Sequence, residues 1–273
     1  MAPNFTGQAY SDNNLINGRM NFNCATARAA GDNTTCQDNA GLSKFRFQTG
    51  KDHRLRLINS GSQGVERISI DGHKMTVMAQ DFVEIEPYET SVVTLGVGQR
   101  ADVIVHGHER RHARSGFWLR ANLTSCSLAN QRYALAAIYY EDADTNAIPD
   151  SKAWDVPDPG TCANDDLPLT RPYYPMKLPE PSWTQYMDIA AFRNESGNLL
   201  WSFGVCVLFC TNESVGSRLT IHVRQGVAAR VNFDDPTLLQ VAEGDVDFEP
   251  IMNVHNYGTN SSIRMIVNNP TRA

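Results

Sequence analysis

Between Lys44 and Tyr140 apolar residues fall on every second position, and this rhythm constrains the chain more than any other feature. Leu55 and Leu57 alternate with Arg54 and Arg56, Ile68 and Ile70 alternate with Arg67 and Ser69, and Met75, Val77 and Ala79 share one face. Val83 and Ile85 alternate with Glu84 and Glu86 ahead of Pro87; Phe117, Leu119, Ala121 and Leu123 alternate with Trp118, Arg120 and Asn122. A period of two sends successive side chains to opposite sides of an extended backbone, so each run reads as a strand with one buried face. Asp71-Gly72 adds a turn signal between two of them. Several short strands separated by turn residues predict an all-β sandwich or barrel.

From Asp144 to Trp183 the character changes. This stretch is rich in Pro and Asp and lacks periodicity, which predicts an extended connector running over a surface. Strand-like runs return from Met187 onward (MDIAAFR, RVNF, SSIRMIV), too few to close a sandwich. The expected organisation is a domain over residues 1–143, a connector over 144–186 and an incomplete domain over 187–273.

The chain has 273 residues, enough for one large or two ordinary domains, with 41% hydrophobic and 20% charged residues. Its net charge of −6 argues against a nucleic-acid backbone as partner, which requires a basic face. No apolar run approaches the roughly 20 residues of a membrane-spanning helix. The first six residues, Met1 to Thr6, hold no apolar core like that of a secretory leader. The rest nevertheless reads as extracellular. Asn-x-Ser/Thr acceptors begin at Asn4, Asn33, Asn122, Asn194, Asn212 and Asn260, and the cysteines sit in polar, loop-like surroundings that suit disulfides. Cys24 and Cys36 bracket a polar loop, while Cys126 and Cys162 can tie a strand to the connector. Four cysteines allow three pairings, of which Cys24–Cys36 with Cys126–Cys162 joins nearest neighbours.

Side chains able to carry chemistry are few. His106-Gly107-His108 is the one His-x-His pair, crowded by Arg110, Arg111 and Arg114, and reads as solvated loop rather than a metal site. His73, beside the Asp71-Gly72 turn, reads as a packing residue, and His53, His222 and His255 are isolated. Gly96-Val97-Gly98 is followed by no helical pattern, so it is not a phosphate cradle. Asp12, in Ser-Asp-Asn-Asn, reads first as turn chemistry.

The segments SDNNLING, HRLRLIN, IDGHKMTVMAQDFVEIEPY, GQRADVIV and FWLRANL, followed by FDDPTLL and NYGTNSSIRMIVNNP, carry a resemblance. Their order and spacing are similar to those of the fungal laccase and ascorbate-oxidase group of multicopper oxidases. The resemblance implies a copper-free, cupredoxin-like Greek-key sandwich, the family's middle domain, followed by the opening strands of a third. It implies copper in the intact family member, held by His-x-His pairs and by HPxHLHGH and HCHxxxH motifs, the last two not found in these residues, and none bound by this chain alone. It implies a phenolic or related small reductant and O2 as substrates, flanking cupredoxin domains as partners, and secretion. At Asp12 it implies a carboxylate beside the reductant pocket, able to take a phenol's proton.

The sequence is therefore expected to be a fragment or truncated form of such an oxidase, inactive alone. Residues 205–225 interrupt the family's pattern and read as a translated intron, which would make Cys206 and Cys210 artefacts. The second reading is a non-catalytic secreted β-sandwich that binds a partner.

Overall fold

A computed structural model describes residues 11–29, 31–193, 197, 199–205, 237–244, 257–258 and 260–268. It divides into two compact units, over Ala9–Met176 and Lys177–Ala273. In the first unit nine strands build two sheets. They are β1 (Ser43–Arg46), β2 (Asp52–Ile58), β3 (Glu66–Ile70), β4 (Met75–Gln80), β5 (Val83–Thr90), β6 (Val93–Leu95), β7 (Arg100–His106), β8 (Gly116–Leu123) and β9 (Tyr133–Tyr139). One sheet runs β1-β9-β8-β3-β6 and the other β2-β7-β4-β5. All pairings are antiparallel except β1 with β9.

The alternation explains the core. Ile68 and Ile70, Met75 and Val77, Val93 and Leu95, Val103 and Val105, and Ala134, Ala136 and Ile138 form one buried cluster drawn from both sheets. At roughly 25 cal/mol per Å² of apolar surface, such a cluster is the main source of the unit's stability. Val83 departs from its pattern. It is 53% exposed while Ile85 is 4% exposed, because Val83 follows directly on the β4–β5 hairpin turn. That turn is Asp81-Phe82, with φ of 47° and 69°, the primed geometry that matches strand twist. Arg100 braces it, its guanidinium carbon 4.3 Å from the centre of the Phe82 ring and its backbone N–H donating to Asp81 Oδ1 at 3.0 Å.

A short helix, α1 (Cys24–Ala29), precedes the strands. Asn23 Oδ1 accepts from the Ala25 and Thr26 amides at 3.1 and 3.4 Å, an N-terminal cap. The structure joins Cys24 to Cys36 and Cys126 to Cys162, with Cα–Cα distances of 5.8 and 5.7 Å.

The Pro- and Asp-rich stretch is extended, and through Met176 it belongs to the first unit. Isolated side-chain bonds fasten it to the sheets: Ser151 Oγ donates to Asp71 Oδ2 (2.7 Å) and Trp154 Nε1 to Ile70 O (2.8 Å). Asp165 accepts from the Thr94 amide (3.1 Å). Backbone pairing follows, with Glu86 N to Arg171 O at 2.8 Å and Tyr173 N to Glu84 O at 2.9 Å.

In the second unit β10 (Trp183–Arg193) lies between β11 (Leu199–Val205), antiparallel, and β12 (Ile263–Asn268), parallel. A helix, α2, covers Thr237–Glu243. The strand expected at RVNF, residues 206–225 of the proposed intron with Cys206 and Cys210, His222 and His255 lie outside the described residues. So do Asn4, Asn194 and Asn212, whereas the side chains of Asn33, Asn122 and Asn260 are exposed.

Candidate functional site

Asp12 stands in a loop that the sandwich holds from several sides. Ser11 N donates to Leu128 O (3.1 Å), Asn130 N to Ser11 O (2.9 Å) and Gln131 N to Asp12 O (3.2 Å). Asn13 Oδ1 accepts from Gln131 Nε2 at 2.8 Å. Buried Asn14 donates through Nδ2 to Glu66 Oε2 (3.1 Å) and Ala121 O (3.0 Å), pinning the loop to β3 and β8. The loop then reverses at Asn17-Gly18, both at positive φ (49° and 72°), with Ile16 and Arg19 exchanging 3.1 Å backbone bonds. The side chain of Asp12 is exposed, and its Oδ1 accepts from Asn130 Nδ2 at 3.2 Å. A neutral amide donor orients the carboxylate without adding a charge beside it.

Ser11 and Asn13, the neighbours of Asp12, line a cleft of about 820 Å³ between the two sheets, walled by apolar groups of Phe45, Leu55, Leu57 and Ile68. Leu55 and Leu57 are only half-buried because they face this cleft from β2, the end strand of its sheet. Glu66 also lines it, its carboxyl raised above the usual range by burial, against which the Asn14 amide pulls.

A second group of chemistry-bearing side chains gathers at His73. This residue is 2% exposed. Its Nδ1 donates to Asp71 O at 2.8 Å, which leaves Nε2 to accept the Tyr140 hydroxyl at 2.8 Å. The hydroxyl oxygen in turn accepts the His108 backbone N–H at 2.6 Å. The His108 ring lies 4.0 Å from that of His73, and His112 lies 4.8 Å from His108. The loop Gly107–Arg114 is thus only partly solvated, contrary to the reading from its arginines. His106 and Glu109–Arg111 are exposed, but His108 and His112 are half-buried against Phe117. Polar neighbours in sequence hid this, since the burying groups come from other strands. Burial holds His73 down at about 4 and lowers His108 as well, helped in each case by neighbouring imidazoles. His53 stacks on Phe47, with ring centres 4.1 Å apart.

Among the described residues no three His, Cys, Asp or Glu side chains converge as a metal site. No described helix is long and apolar enough to cross a membrane.

The profile of the family described as multicopper oxidase matches residues 2–143. The oxidoreductase OpS5 of Beauveria bassiana is 32% identical over 185 residues, 67% of this chain and 30% of its own length. Laccase-2 of Botryotinia fuckeliana is 30% identical over 213 residues, 75% of this chain and 35% of its own length. The chain therefore spans about a third of the length of the curated relatives it matches. Among solved structures, the laccase of Botrytis aclada superposes with a TM-score of 0.68 at 24% identity, covering 96% of this chain and 43% of that one. This likeness carries the fold, an all-β, cupredoxin-like sandwich.

Proposed function

The chain belongs to the multicopper oxidase family, and from that premise we propose that it forms part of a laccase-like oxidase. Such an enzyme takes single electrons from phenols or related reductants and reduces O2 to water. The family implies copper, which supplies the electron-transfer chemistry when bound. The described residues do not fit that ion: no ligand set converges, and both ring nitrogens of His73 are already hydrogen-bonded. On this reading the copper-holding histidines and flanking cupredoxin domains belong to polypeptide outside residues 1–273, in keeping with relatives of which the match covers only about a third. This chain expressed by itself then consumes no oxygen with a phenol.

Its own residues orient substrate and move a proton. The Asp12 loop forms one wall of the reductant pocket, and the Asp12 carboxylate accepts the hydroxyl proton that a bound phenol releases on its one-electron oxidation by the intact enzyme, whose final electron acceptor is O2. The observation that supports this role is the exposed Asp12 carboxylate, braced by Asn130 within the family-matched residues. Disulfides at Cys24–Cys36 and Cys126–Cys162 and exposed acceptors at Asn33, Asn122 and Asn260 support a secreted, glycosylated protein.

The test compares Asp12→Asn with the parent in the full-length oxidase. A proton acceptor contributes about 10²-fold or more, so kcat/KM for a phenol falls by roughly that factor and its pH profile shifts. The rate with a reductant that releases no proton, such as ferrocyanide, stays unchanged. Equal losses with both reductants sink the proton role.

A further inference from the structure

Three imidazoles from two separate segments meet at the end of the first unit. His73 comes from the turn between β3 and β4, while His108 and His112 come from the loop after β7. Three bonds hold that loop's start to the body: Gly107 N to Lys51 O at 2.8 Å, Gly50 N to His108 O at 2.9 Å and His108 N to the Tyr140 hydroxyl at 2.6 Å. The last depends on the protonation state of His73. The Tyr140 hydroxyl donates its single hydrogen to His73 Nε2, so its oxygen is left to accept the His108 amide. If Nε2 gains a proton, two hydrogens point at each other and the hydroxyl must turn. Both the His73 and Tyr140 side chains are buried, so the displaced hydrogen meets no water.

We propose that the His73–His108–His112 stack is an acid-sensitive latch, which holds the Gly107–Arg114 loop against Tyr140 while the rings are neutral and releases it when they are protonated. The rings lie 4.0 and 4.8 Å apart at their centres, so a charge on one opposes a charge on the next. Surrounding charges favour release. Arg111 donates from Nε to His112 Nε2 at 3.2 Å and itself disfavours a charged His108. Asp71, whose charge favours a charged His73, is already engaged by Arg120 at 2.8 Å. Glu109, on the same loop, favours a charged His108, but it is exposed and 3.6 Å from Arg111. From the strand β9 side, Glu141 is engaged by Thr49 at 2.7 Å and lies 3.8 Å from Arg110. On the remaining side Phe47 meets His73 edge-on, with His53 stacked behind it. No free carboxylate among these groups stands ready to compensate a charged stack.

The experiment is hydrogen–deuterium exchange on the full chain at about pH 7 and about pH 4.5, expressed as protection factors so that the intrinsic pH dependence cancels. The expected result is a loss of protection of about tenfold or more over residues 107–114, with strands β7 and β9 unchanged. His108→Phe keeps a ring in the stack without a titrating nitrogen and is expected to reduce the acid-dependent loss to the part that His73 alone contributes through Tyr140. Unchanged protection in the parent, or an equal loss in His108→Phe, overturns the latch. Should His108→Phe fail to fold, NMR titration of the parent's His73 and His108 rings decides. Loop amides that broaden together with ring titration support the latch; rings that titrate while the loop amides stay fixed overturn it.

Discussion

Arg120 grips Asp71 through two parallel hydrogen bonds of 2.8 Å, Nε to Oδ1 and a terminal nitrogen to Oδ2. Asp71 is fully buried, and its remaining demand is met by the Ser151 hydroxyl at 2.7 Å. One carboxylate thereby joins the β3–β4 turn, β8 and the extended stretch. Breaking a buried pair leaves an uncompensated charge, which costs far more than the pair itself contributes. Arg120→Ala is expected to destabilise the chain by about 3–5 kcal/mol in urea unfolding, and replacing both partners with apolar residues by less. A double variant as unstable as the sum of the two single changes contradicts the charge-pair account.

The buried imidazole gives stability a pH dependence of definite sign. His73 titrates at about 4 in the folded chain against 6.5 for the free side chain. Between these values the unfolded chain holds more protons, so stability rises with pH. The contribution is fully present above 6.5 and is lost as pH falls through about 4. It amounts to something on the order of 3 kcal/mol. Glu66 and Asp165, both raised by burial, act in the opposite sense, so the comparison must be with His73→Gln. Denaturation midpoints across this window should slope less in that variant; parallel slopes would assign the effect elsewhere.

Gly107 tolerates no side chain. A Cβ there would collide with Gln48 O and stand 2.9 Å from Lys51 O, both backbone atoms. Gly107→Ala must push the loop from the 48–51 turn, at about 1–3 kcal/mol for such overpacking. Thermal unfolding of this variant should fall well below that of the parent, and an unchanged midpoint would show that the turn gives way freely.

Replacing Cys24 and Cys36 together by Ser frees a segment that the bond closes at a sequence separation of 12. Loop-closure entropy places the loss at about 3 kcal/mol. Chemical denaturation of the double Ser variant measures it directly, and a loss under about 1 kcal/mol would mean that α1 and its Asn23 cap order the loop unaided.

Much of the sandwich was legible because period-two patterning is a local signal. It located β2, β3, β4, β5 and β8 and, Val83 apart, the faces they bury, and Asp71-Gly72 marked its turn. It said nothing of which strands pair, because registry depends on contacts between distant residues. It missed α1, whose six residues Cys24–Ala29 lack an amphipathic period and rest on a cap. Asp12 was visible through the resemblance, but Asn130, the side chain that braces it, lies 118 residues away. His108 was hidden for the same reason. Its burial comes from His73, Phe117 and Tyr140, none of which its arginine-rich neighbours announce.

The extended stretch from Ser151 to Tyr173 is tacked down point by point, at Ser151, Trp154, Asp158, Cys162, Asp165, Arg171 and Tyr173. A seam fixed only at intervals can gain or lose residues between fastenings while the sheets beneath keep their registry. An inserted tag is thus absorbed between Asp165 and Arg171, where Leu167 and Leu169 are exposed, at little thermodynamic penalty, whereas the same insertion beside Ser151 would pull on Asp71 and unsettle the interior.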